Sequence, residues 1–149
     1  MNMIDETYVA FETAQLMEEK GFDQPCFRYA ESKEIYDRGD WGVANATGSC
    51  VGVPTSQTAL KWLREKHNIL AVVDYEYECD DTPYFYKIYR LGEHGKPSRV
   101  AIKGVRYDKD GTEHEQIVGY RDYERSYEDY HTYEEACEDA IKYCLENLI

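Results

Sequence analysis

At 149 residues with a formal charge of −13, 42% hydrophobic side chains, four prolines and ten glycines, the chain has the length and composition of one globular domain, not of a disordered or fibrous segment. The charge argues against nonspecific attraction to nucleic-acid phosphates or an anionic membrane surface and favours a partner with a basic surface. No stretch approaches membrane-spanning length. The first twenty residues carry five acids and no basic head before an apolar stretch, so a cytoplasmic location without a secretory signal is expected. Five cysteines (Cys26, Cys50, Cys79, Cys137, Cys144), widely spaced and without a Cys-x-x-Cys pair, read as reduced thiols filling the core.

In chain order, Val9 to Lys20 places Ala10, Ala14 and Met17 at helical spacing, and Gly21 sits where a left-handed cap would stop the helix. Cys26 to Tyr36 alternates around a polar break at Glu31 to Lys33 and predicts a short hairpin. Asp37 to Gly52 has no surviving period and reads as a loop or irregular strand. Pro54-Thr55-Ser56 opens a second helix with Ala59, Leu60, Leu63 and His67 in a stripe, Trp62 beside it and an end near Asn68.

Ile69 to Asp80 predicts one strand, apolar at first and then alternating acids with Tyr75, Tyr77 and Cys79. Tyr84 to Leu91 and Ser98 to Tyr107 predict two more, and Asp110-Gly111 signals a hairpin into a fourth near Glu115 to Asp122. Thr132 with Glu135 forms a capping box before a last helix whose inner stripe is Tyr133, Cys137, Ala140, Ile141, Cys144, Leu145 and Leu148. The order implies an α+β fold: an antiparallel sheet of about four to six strands with three helices, largely on one face.

No spacing that marks a catalytic or metal centre is present. The four histidines form no His-x-x-x-His pair; Glu113-His114-Glu115 would split its groups between two strand faces, and Asp108 to Glu113 lacks a twelve-residue calcium loop. No cofactor is expected and no catalytic residue is assigned. Thirty carboxylates make any acid pair uninformative about hydrolysis, and Cys50 would need a histidine folded beside it to act as a nucleophile.

Three features remain as candidates. Gly48, Ser49, Gly52, Thr55 and Ser56 lead into a helix start, where backbone N–H groups suit an anion; with Lys103 and Arg106 they form a candidate nucleotide or small-ligand site, although the lysine of a nucleotide-binding loop is absent. Between Thr82 and Lys109 there are seven basic residues against Glu93 and Asp108, a net of +5 that leaves −18 on the rest. These cations suit either pairing with the acidic strand Asp74 to Asp80 or a phosphate-bearing ligand. Tyr120, Tyr123, Tyr127, Tyr130 and Tyr133, set among acids that include Asp129, suit either a protein-recognition surface or the cover of a sheet edge. Non-enzymatic binding of a macromolecular partner is the leading functional expectation, with inhibition of a host protein as one version; a ligand-sequestering protein and a hydrolase are the alternatives.

Three blocks carry a family resemblance: Phe11 to Cys26, then Pro54-Thr55 with Lys61 to Ile69, then Thr132 to Ala136 through Leu148-Ile149. Together they resemble a family of uncharacterised small acidic proteins encoded by phages and mobile elements of gut bacteria. The likeness covers about half the chain and implies no activity, ligand or catalytic residue. Gly92 to Asp122 is longer than the resemblance leads one to expect.

Overall fold

A computed structural model describes residues 5–26, 28–31, 34–37, 51–78 and 81–149. Among the described residues, three helices and antiparallel strands give the expected α+β architecture. The elements are α1 (Phe11–Glu19), β1 (Arg28–Glu31), β2 (Glu34–Asp37), β3 (Val51–Val53), α2 (Ser56–His67), β4 (Ile69–Tyr75), β5 (Tyr84–Arg90), a 3-10 turn (Glu93–Gly95), β6 (Val100–Tyr107), β7 (Glu113–Arg121), β8 (Glu124–Arg125) and α3 (Tyr133–Asn147). The described strands divide among three small sheets, ordered β2-β1-β3, β4-β5-β8 and β6-β7.

Local chemistry sets most of the helix ends. Thr55 Oγ1 accepts the Thr58 N–H at 3.1 Å and Thr132 Oγ1 accepts the Glu135 N–H at 3.1 Å, each satisfying a first-turn donor. Asn68 ends α2 in the left-handed region, φ 55°. Gly21, at φ 96°, lets the Phe22 N–H return to the Met17 carbonyl at 2.9 Å and close α1. The N-terminus of α1 is different, because Ala10 has no capping side chain. Glu138 of α3 supplies the cap, its Oε1 accepting the Ala10 N–H at 3.0 Å and the Thr13 hydroxyl at 2.5 Å.

One contiguous core joins these elements. Ile69, Ala71 and Val73 on β4 share a face with Tyr86 and Ile88 on β5, and that face meets Ala140, Ile141, Cys144 and Leu145 of α3. Met17 of α1, Val53 of β3 and Leu63 of α2 complete it. Several of these side chains, Ile88, Ile141 and Leu145 among them, are fully buried, and truncating one to alanine costs about 2–5 kcal/mol. The opposite face of β4-β5-β8 is held by cations over rings: Arg125 lies 4.2 Å from the Phe85 ring and Lys87 lies 4.8 Å from that of Tyr123.

Three sequence expectations are corrected. β4 stops at Tyr75 rather than running on, since the Glu76 N–H turns to the Pro83 carbonyl at 2.7 Å and starts the return to β5; Cys79 and Asp80 lie outside the described residues. Tyr133 does not belong to the buried stripe of α3: it is 40% exposed, and Ala136 takes the inner position. β8 was not foreseen; it pairs Glu124 with Ile88 and Arg125 with Lys87.

The β6-β7 hairpin stands apart from the core. Its register runs from Val100 opposite Arg121 to Tyr107 opposite Glu113, with Val118 left unpaired at a bulge. Gly111 at φ 81° makes the turn signalled by Asp110-Gly111. Among the described residues no helix or further strand packs along the ribbon, and Val105, Tyr107, Ile117, Val118 and Tyr120 are all at least half exposed.

Candidate functional site

Two helix starts converge on one concave surface. The first turn of α2 contributes Thr55, Ser56 and Gln57, and the first turn of α3 contributes Tyr133, Glu134 and Cys137; with Glu6 and Thr7 they enclose about 200 Å³. Gln57 Nε2 reaches the Tyr133 hydroxyl at 3.5 Å between the two helices. Thr7 and Glu134 also line a wider, shallower depression of about 530 Å³, whose other walls include Tyr8, Tyr130, Glu135 and Glu138. The two cavities adjoin at Thr7 and Glu134 and together make up the groove along the start of α3.

The groove is acidic by construction. Glu134 and Glu135 occupy the first turn of α3, where the partial positive charge of the helix N-terminus favours carboxylates. α2 has no acid in its first turn, and Glu6 lines the same cavity as its start. Glu138 is committed to the α1 cap, and Asp139 accepts the Tyr130 hydroxyl at 2.5 Å. None of Glu6, Glu134 or Glu135 pairs with a base among the described residues. Burial first, and then the bond to Asp139, pushes the Tyr130 phenol far above its ordinary range, so its proton stays on the hydroxyl.

Aromatic rings continue the surface. Tyr133 stands edge-on to Tyr84 at 6.4 Å, and Tyr84 edge-on to Tyr75 at 5.4 Å. Tyr75, Tyr77 and Tyr127 are exposed. The tyrosine run singled out in the sequence is therefore divided. Tyr120 lies under Arg99 at 4.5 Å on the ribbon, Tyr123 sits between Lys87 and Arg121, Tyr127 is open to solvent, and Tyr130 stacks on Tyr86 at 6.0 Å over α3. Asp129 accepts from Arg125 at 3.2 Å.

The residues of the expected small-ligand site are likewise distributed. Gly48 and Ser49, together with Cys50, lie outside the described residues. Gly52 backs onto the Cys26 side chain, Thr55 caps α2, and Ser56 is buried at its first position with no hydrogen-bond partner for its hydroxyl among the described residues. Lys103 pairs with Glu115 at 3.0 Å and Arg106 approaches Asp108 at 3.9 Å, both on the ribbon; neither lines the groove. The basic segment includes an inter-strand ion pair of the kind considered from sequence, Lys87 to Asp74 at 3.1 Å.

The described cysteines are poor nucleophiles. Burial raises Cys26 to about 11 and Cys144 to about 12, and raises Cys137 as well, leaving almost no thiolate near neutral pH. Among the described residues no three histidine, cysteine or acidic side chains cluster as metal ligands, and no helix is long and apolar enough to cross a membrane. Comparison with protein-family models, with curated proteins and with solved structures finds no match to this chain.

Proposed function

We propose that the protein is a non-enzymatic accessory protein, encoded by a phage or mobile element, that binds a basic segment of a macromolecular partner in the groove at the start of α3. The observation that supports this reading is the meeting, in two adjoining concavities, of carboxylates that pair with no base among the described residues and tyrosine walls: Glu6, Glu134 and Glu135 beside Tyr8, Tyr130 and Tyr133. Lysine or arginine side chains would gain opposite charge and ring faces together, and the −13 charge would draw such a partner in at long range. An inhibitor that competes with nucleic acid for a basic host protein is the specific form this chemistry suits. A nucleotide is a poorer occupant, because its phosphates would meet Glu6 and Glu134.

Titration with a short Arg- and Lys-rich peptide, followed by calorimetry, tests the reading. Saturable binding is expected in dilute buffer, with loss of affinity in high salt and in Glu134→Lys/Glu135→Lys. Absence of saturable binding, or binding indifferent to both salt and charge reversal, overturns it.

A further inference from the structure

We propose that the smaller cavity, between the starts of α2 and α3, is an arginine pocket: it takes one arginine side chain of the basic segment and prefers it to lysine. The inference rests on the groove reading above and adds to it the residue that anchors the segment.

Size limits the occupant. The enclosed space of about 200 Å³ lies below the roughly 300–1,000 Å³ usual for free small ligands, and it suits a single long side chain. The 530 Å³ depression beyond Thr7 and Glu134 leaves room for the residues on either side of that anchor.

Charge selects a cation. Glu6 and Glu134 bring two carboxylates to the wall, and neither pairs with a base among the described residues. Set against them, about half a positive charge from each of the two helix starts leaves a balance of about −1, which one guanidinium neutralises.

The acceptors separate arginine from lysine. Gln57 Nε2 donates to the Tyr133 hydroxyl at 3.5 Å, which leaves its Oε1 to accept. Tyr133 also bonds Cys137, so its ring is held at the cavity wall by two neighbours. The Ser56 hydroxyl is buried and without a hydrogen-bond partner among the described residues. No bond holds its χ1, so it can turn to a donor that enters. A buried hydroxyl left unpaired is unfavourable, and an occupant that donates to it removes that cost. Glu6, Ser56, Gln57 and Glu134 thus offer acceptors from three separate parts of the chain. A guanidinium spreads five N–H donors over a rigid plane, sheds its water readily and can rest on the Tyr133 ring. A lysine ammonium gathers three donors at one strongly hydrated point.

Calorimetry with a lysine-only peptide, and with a set in which one lysine at a time is replaced by arginine, tests the pocket. Arginine at one position is expected to tighten binding about tenfold. Ser56→Ala should remove that gain and leave the lysine-only affinity and the melting curve almost unchanged, because the hydroxyl holds nothing in the free protein. Glu6→Gln should remove the gain as well. Gln57→Ala, at an exposed position, gives the same comparison should Ser56→Ala not fold. Equal binding of all the peptides, or an arginine gain that survives these substitutions, would overturn the arginine pocket and leave the groove reading standing. Absence of binding by every peptide would overturn both.

Discussion

Glu138 on α3 caps α1 through Thr13, two residues 125 positions apart in sequence whose Oε1 and Oγ1 atoms lie 2.5 Å from each other. Thr13 is buried, so its hydroxyl has no water to turn to. Glu138→Ala leaves that donor and the Ala10 N–H without their partner and is expected to cost about 1–3 kcal/mol, read as a lower urea midpoint. Thr13→Val removes the buried donor along with its bond and should cost less than Glu138→Ala. Equal losses in the two variants would show that the cap is not what Glu138 contributes.

Asp74 gives stability an acid-sensitive component. The Tyr75 N–H and then the Lys87 ammonium hold its carboxyl below the ordinary value, and Lys87 is correspondingly raised, chiefly by Asp74. A depressed folded pKa means that the stabilisation is fully present above the unfolded value of about 3.9 and is lost as pH falls through the lower folded value. Denaturation of wild type and Asp74→Asn should therefore differ at pH 6 to 7 and converge below about pH 4. The pair is partly exposed, so the gap should be small and should narrow in salt.

How much of this was legible in the sequence depended on distance along the chain. The caps at Thr55 and Thr132 and the stops at Gly21 and Asn68 were readable because each acts within a few residues of itself. The Glu138 cap was not, because nothing near Ala10 signals a carboxylate arriving from another helix. β8 was hidden for a similar reason: Glu124-Arg125 has no strand pattern of its own and pairs only because Lys87 and Ile88 present an edge. The alternation beyond Tyr75 misled because the Glu76 N–H turning to Pro83 overrides a local period. At the groove, Thr55 and Ser56 were visible as a helix start, while Glu6, Glu134 and Glu135 were lost among thirty carboxylates that only the fold sorts into positions.

The thiols report on the same core. Cys144 and Cys26 are raised by burial to about 12 and about 11, and Cys137 is packed beneath Tyr133 at the start of α3. With an aromatic disulfide reagent at pH 8, peptide mapping should find these three unmodified in the native protein and labelled at once in denaturant. Rapid native labelling of Cys144 would contradict its place between α3 and the sheet.

Gly104 is required by the ribbon itself. A Cβ there would stand 2.7 Å from Val118 Cγ1, so Gly104→Ala must turn the Val118 side chain or flatten the bulge, at about 1 kcal/mol. Because the ribbon lies outside the core, the loss should leave the main melting transition almost unchanged. It should emerge instead as faster amide exchange at Ile102 to Gly104 and Ile117 to Gly119, about fivefold for a 1 kcal/mol loss. Shortening the neighbour in Gly104→Ala/Val118→Ala removes the clash and should restore slow exchange; if it does not, the ribbon depends on the freedom of the glycine backbone rather than on the contact with Val118.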